Sequence, residues 1–229
     1  MAAGPAVLKI PLAAGATVSG LLDLPDRPPK ACYVFAHGAG AGMRHVFMDT
    51  MARGLATRGV ATLRFQFPYM EQGGRRPDTP KVAQEAVRAA VQEASKRLPG
   101  TALFAGGKSY GGRMTSQAQA EQPLPQVRGI VFVGFPLHPA GKPGIERAAH
   151  LSGVQLPMLF LQGSRDALAA PDLVRQALES LGKSAKLHAV DGADHAFHVL
   201  VRSGRNDEQV REELLDTMAA WMTGLVSGD

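Results

Sequence analysis

Along the chain, short apolar runs alternate with longer segments of helical period. The runs VLKIPL (7–12), VSGLLDL (18–24), ACYVFAH (31–37), VATLRF (60–65), TALFAGG (101–107), GIVFVG (129–134), PMLFLQG (157–163) and AKLHAV (185–190) read as strands. Helices are predicted over 44–58, 79–97, 110–121, 172–182 and 207–225. This alternation predicts an α/β fold: a mostly parallel central sheet of about eight strands with helices on both faces. The first two runs, separated by AAGA, are expected to form an antiparallel hairpin at one edge. Within 79–97, Val82, Ala86, Ala89, Ala90, Val91 and Ala94 fall near one face, and Pro99-Gly100 stops the helix. In the last helix Val210, Leu214, Leu215, Met218, Trp221 and Met222 make a similar stripe, which at that spacing is core packing. The only sizeable insertion past the middle of the sheet, 135–155, is too short for a lid domain, so an open, shallow site is expected.

Length and composition narrow the class. No repeat or long linker divides the 229 residues, so one domain over 1–229 is expected. Hydrophobic residues at 45% and charged residues at 20% are ordinary for a soluble globular protein. No stretch approaches the roughly 20 uninterrupted apolar residues of a membrane span. The small-residue start lacks a basic segment and is interrupted by Lys9, which reads as a mature cytoplasmic N-terminus. The single cysteine, Cys32, has no internal disulfide partner and lies in an apolar run, where a thiol acts as a small hydrophobe. The net charge of +5 is scattered, without a basic block or nucleic-acid motif, and the seven histidines lack metal-ligand spacing. Neither nucleic acid, membrane, metal nor cofactor is expected as a partner.

The chemistry concentrates at GGKSYGGR, 106–113. Gly107-Lys108-Ser109-Tyr110-Gly111 fits G-x-S-x-G directly after an apolar strand and before a helix, the setting of a nucleophile elbow. Glycines at 107 and 111 remove side chains that would collide across a tight turn, and Gly112 lets the helix approach the sheet. A serine hydroxyl is a weak nucleophile without an oriented base. An acid and then a histidine, each on a loop after a later strand, complete such an arrangement. Asp166 in SRDAL and His195 in DGADHAF occupy those places. Asp172 reads instead as a helix start, His188 lies inside a strand, His198 falls past the loop, and Asp191 and Asp194 read as turn formers, with Asp194 the alternative as a second acid. The oxyanion donors are expected to be the N–H of Tyr110 and an amide of His37-Gly38-Ala39-Gly40-Ala41-Gly42, with Ala39 first and Gly40 the alternative. Two other glycine-loop readings fail: a phosphate-binding loop needs glycine where Ala102 stands, and a dinucleotide fingerprint meets Met43 or His45 at its third glycine.

Taken in order, HGAGAGMRHVFMD, ATLRFQFPYMEQGGRRPD, GGKSYGGRM and GFPLHPAGKP resemble the α/β-hydrolase superfamily, more narrowly its lid-poor, dienelactone-hydrolase-like members. The subgroup they resemble also contains the hydrolase-like domain of the third subunit of a histone-acetyltransferase regulatory complex. The likeness runs from about residue 30 to 200. It implies a serine hydrolase using Ser109, Asp166 and His195, although dienelactone hydrolases proper carry cysteine at the nucleophile. It also carries a rival: a catalytically quiet domain that acts as a protein-interaction scaffold.

Near the carboxyl edge of the sheet stand His37, Tyr69, Arg75, Arg76, Lys108, His138 and Lys142. His37, Tyr69, Lys108 and His138 are the substrate-binding candidates, and the cationic rim suggests a small acyl substrate bearing an anion; the competing view is that these side chains are solvated or brace loops. His45 and Asp49 are candidates to touch the site as well, with a helix-entry and packing role preferred.

Overall fold

All eight runs are strands: β1 (Ala6–Pro11), β2 (Thr17–Asp23), β3 (Ala31–Ala36), β4 (Val60–Phe65), β5 (Ala102–Lys108), β6 (Val127–Val133), β7 (Met158–Gly163) and β8 (Ala185–Val190). The helices are α1 (Val46–Thr57), α2 (Pro68–Glu71), α3 (Pro80–Arg97), α4 (Tyr110–Glu121), α5 (Pro171–Glu179) and α6 (Asp207–Ser227). The structure is a computed structural model describing residues 4–13 and 15–228. Met1–Ala3 at the start and Ala14 in the hairpin turn lie outside the described residues, as does Asp229.

The strands form one sheet in the order β1-β2-β4-β3-β5-β6-β7-β8. β1 pairs antiparallel with β2, as the hairpin reading expects, and β2 runs antiparallel to β4. Every pairing from β4 to β8 is parallel. Such a sheet must be covered on both faces. On one face Met48, Met51 and Leu55 of α1 pack with Val210, Leu214, Met218 and Met222 of α6. On the other, α3, α4 and α5 bury Ala86, Ala90, Met114, Ala118 and Val174.

Two stripes differ in detail from the sequence reading. In α3 the buried face is Ala83, Ala86, Val87, Ala90, Val91 and Ala94, whereas Val82 is exposed and Ala89 only partly covered. Small residues at 83, 86 and 90 let α3 lie close to the sheet, and that tilts the stripe. Trp221 of α6 lies partly buried at the core edge, edge-on to Phe104 and over Gly129, where an added Cβ would stand 2.6 Å from the indole. The insertion at 135–155 holds a 3₁₀ turn, Glu146–Gly153, that docks on α4 through Ser116 Oγ and His150 Nε2 at 2.7 Å. No described helix is long and apolar enough to cross a membrane.

Candidate active site

From β3 the chain passes through α1 to β4 on one side, then returns through α3 to β5 on the other. Connections that leave in opposite directions open a crevice at the carboxyl ends of β3 and β5. The 37–45 loop after β3 and the turn after β5 therefore face each other.

Ser109 stands in that turn, between β5 and α4, at φ 50 and ψ −116. A non-glycine residue in this region is strained, and here the flanking geometry leaves no alternative. A Cβ on Gly107 would sit 2.5 Å from the Ala36 carbonyl oxygen and 2.7 Å from the Gly111 backbone, so the turn closes only around glycines. The Ser109 N–H donates to the Val133 carbonyl at 3.1 Å, fixing the turn to the end of β6.

His195 Nε2 lies 2.9 Å from Ser109 Oγ, and its Nδ1 lies 2.7 Å from Asp166 Oδ2. Because a carboxylate only accepts, Nδ1 carries the proton, and Nε2 is left to accept from the serine hydroxyl. Asp166 is 3% exposed and is satisfied on every side. Gln162 Nε2 donates to its Oδ2 at 2.5 Å and the Leu168 N–H to its Oδ1 at 2.8 Å. Gln162 was not singled out from sequence; its signal is a lone polar side chain near the end of an apolar strand. The rival groups are engaged elsewhere. Asp172 pairs with Arg175, His188 with Glu213, His198 with Asp207, and Asp191 with Ser164.

β8 lies three places from β5, so the 191–199 loop carrying His195 must reach back over the ends of β7 and β6. Gly163 leaves it room. A Cβ on Gly163 would fall 2.4 Å from the Ala193 carbonyl oxygen, and one on Gly134, which stands at φ 70, would fall 3.0 Å from Lys108 Nζ. Inside the loop, Asp194 Oδ1 accepts from the N–H groups of Ala196 and His198 at 2.8 and 3.0 Å, and Phe197 is held at φ 66.

The 37–45 loop is pinned differently. His37 is fully buried, accepts the Phe67 N–H at Nε2 (3.1 Å) and donates from Nδ1 to the Gly38 carbonyl (2.8 Å). Burial pulls its pKa down to about 4, so the ring is neutral at physiological pH. In a trans peptide the C=O and the next N–H point opposite ways, so holding the Gly38 carbonyl fixes where the Ala39 N–H points. Neither that amide nor the Tyr110 N–H, which opens α4, is taken by another acceptor among the described residues. The alternative donor, Gly40, is engaged: its N–H donates to Tyr69 Oη at 3.1 Å. Farther along, the buried Arg64 donates to the Met43 carbonyl at 3.2 Å and pairs with Asp23 and Asp49 at 2.8 and 3.2 Å.

A cavity of about 500 Å³ opens over Ser109, lined by Gly38, Ala39, Ala41, His45, Phe47, Met48, Lys108, Leu168, His195 and Ala196. Of the four substrate-binding candidates, only Lys108 lines it. His37 and Tyr69 hold the loop after β3. His138 is buried and braces two loops, donating to the Pro139 carbonyl at 2.9 Å and accepting the Ala170 N–H at 3.1 Å. Each sits near the right strand end but points into the protein, because an irregular loop leaves buried backbone groups that need partners. Arg75, Arg76 and Lys142 are exposed and outside the cavity. Lys108 itself is drawn inward, donating to the His195 carbonyl at 2.6 Å. His45 caps α1 by accepting the Phe47 N–H, and also reaches the cavity. Asp49 is the packing residue expected, tied to Arg64 and Arg53.

Solved structures superpose on nearly the whole chain. An a/b serine hydrolase without lid from Xanthomonas campestris matches at 21% identity and TM-score 0.73, over 96% of this chain and 95% of that one. A dienelactone hydrolase from Anabaena variabilis matches at 20% identity and TM-score 0.75, over 96% and 97%. The esterase domain of a Rhodothermus marinus protein matches at 20% identity and TM-score 0.74, over 98% and 100%. At such identities the likeness is one of fold. The alpha/beta hydrolase domain profile matches residues 29–223, and the chain belongs to that family.

Proposed function

We propose that this protein is a serine hydrolase that cleaves an ester, thioester or similar acyl bond of a small substrate through an acyl-enzyme. The observation that carries the reading is the hydrogen-bonded line from Ser109 through His195 to buried Asp166, ending at a strained serine in an open cavity. Ser109 Oγ attacks the carbonyl carbon while His195 Nε2 takes the hydroxyl proton, and Asp166 stabilises the imidazolium. The N–H groups of Tyr110 and Ala39 receive the negative oxygen. The imidazolium then protonates the leaving group as the tetrahedral species collapses. Water then attacks the acyl carbon as His195 takes its proton, and collapse of the second tetrahedral species releases the acid while His195 returns that proton to Ser109 Oγ. Three side chains, two backbone amides and water supply these steps.

The cavity favours an uncharged acyl group over an anion. Phe47, Met48, Leu168 and the alanines supply its walls, and the Lys108 ammonium is directed at a carbonyl of the protein. The scaffold reading, attached to the histone-acetyltransferase subunit resemblance, calls for a blocked site; an open cavity with two free amides weighs against it. The test is intact mass after a fluorophosphonate probe. A single adduct, absent in Ser109→Ala and strongly slowed in His195→Ala, supports the hydrolase. A folded wild type that takes no adduct returns the scaffold.

A further inference from the structure

We propose that Lys108 is the positioning residue of the base: by donating to the His195 carbonyl it ties the 191–199 loop to the strand that carries the nucleophile. The inference rests on the hydrolase reading, since it assigns His195 as the base of Ser109. The loop arrives from three strands away, crosses bare Gly163, and is tied to the end of β7 by the Arg165 N–H on the Ala193 carbonyl at 2.9 Å and by His195 on Asp166. Among the described residues, two hydrogen bonds join it to the end of β5 and the turn that follows. One, His195 Nε2 to Ser109 Oγ, is the reacting contact and changes with each proton transfer. The other, Lys108 Nζ to the His195 carbonyl at 2.6 Å, takes no part in the chemistry and holds the backbone that bears the ring.

The surroundings of the ammonium are built for a cation without a counter-ion. Its Nζ is 5.4 Å from the Phe197 ring centre and 6.0 Å from that of Phe47, and the two rings lie nearly parallel, 12° apart. Aromatic faces attract cations, and a charged donor makes a stronger bond to a carbonyl than a neutral one. Phe197 reaches this position only at φ 66, a strained conformation that the Asp194 bonds maintain. The charged and titratable groups around Lys108 are Asp166, Asp194 and His195, with His45 also on the cavity wall; none forms an ion-pair contact with it among the described residues. Burial, partly opposed by Asp166 and Asp194, brings its pKa down from 10.5 to about 8. Below that pH the charged form grips the carbonyl; above it the neutral amine loses both the charge-assisted bond and the attraction to the rings, and the loop loosens.

The experiment follows turnover of a neutral ester by wild type, Lys108→Arg and Lys108→Met, with amide hydrogen exchange over 193–199. Wild-type kcat should decline on the alkaline side with a midpoint near 8. Lys108→Arg, charged throughout, should stay within about threefold of wild type and lose that decline. Lys108→Met should lower kcat about tenfold at neutral pH, leave KM nearly unchanged, show no alkaline limb, and exchange about tenfold faster in the loop. A side chain that merely packs would alter stability without moving the pH profile. The proposal is overturned by a wild type with no decline there, or by either variant retaining it. If Lys108→Met does not fold, wild type and Lys108→Arg decide the matter. If wild type neither turns over ester nor takes a fluorophosphonate, the hydrolase reading falls, and loop exchange still reports whether Lys108 holds the loop.

Discussion

Two loops meet over Ser109, and each is held by a cation, one buried and one half-buried, that donates to one of its carbonyls. Arg64 grips the 37–45 loop at Met43, and Lys108 grips the 191–199 loop at His195. The cations differ in company. Arg64 is enclosed by Asp23 and Asp49, whereas Lys108 faces two aromatic rings and no contacting carboxylate. The Arg64 guanidinium is neutralised by carboxylates at hydrogen-bonding distance. The Lys108 ammonium has no contacting carboxylate, and burial draws its pKa down to about 8. The first loop has its own weakness on the other side of neutrality, because it also hangs on neutral His37. One side of the site is thus sensitive to acid and the other to alkali.

The comparison breaks most decisively at Arg64. Arg64→Met strands the buried Asp23 carboxylate and leaves Asp49 only Arg53, and should cost about 3–5 kcal/mol of stability, read from urea unfolding, whereas Lys108→Met should cost about 1 kcal/mol. Equal losses would mean that the two cations do the same work. The next effect is acid lability. Folded His37 titrates at about 4 against 6.5 in the unfolded chain, so the unfolded state binds the proton first as pH falls. Stability is then whole above pH 6.5 and declines down to about 4, by about 3 kcal/mol from this residue. His150, also lowered to about 4, declines in the same direction, so the difference between wild type and His37→Gln isolates the first ring. An identical acid profile in both proteins would remove His37 as the cause.

Smaller effects sharpen the picture. Tyr69→Phe frees the Gly40 N–H and should cost about 1 kcal/mol of stability and a few-fold in kcat, with KM steady. A change confined to KM would put Tyr69 back among the substrate contacts. Smallest of all, Arg75→Ala, Arg76→Ala and Lys142→Ala should each change kcat/KM for a neutral ester less than about twofold, as expected of solvated charges. A clear preference for a carboxylated over a neutral ester of equal size, lost in these variants, would restore an anion-binding rim.

Much of the fold was legible because its signals are local. Eight apolar runs of strand length, helices closed by Pro and Gly, and a serine between glycines follow from periodicity and steric limits that act over a few residues. Short α2 and the 3₁₀ turn at 146–153 escaped notice because neither carries a periodic stripe. At the site, Ser109, Asp166 and His195 could be named from their order after successive strands, and the structure brings the three within hydrogen-bond reach. The directions of His37, Tyr69, His138 and Lys108 could not be named. Proximity to a strand end places a residue beside the crevice but does not say whether its side chain faces substrate or an unsatisfied backbone group.

What the sequence alone determined is the α/β alternation, the glycine-flanked turn at Ser109 and the chain order of Ser109, Asp166 and His195 after successive strands, all set by short-range pattern. Only the tertiary structure decided that Gln162 supports Asp166, that Gly163 makes way for the 191–199 loop, and that Lys108 lies half-buried beside two rings. These contacts join residues from different strands and loops, and the fate of each polar group depends on which carbonyls, amides and charges the packed sheet leaves beside it.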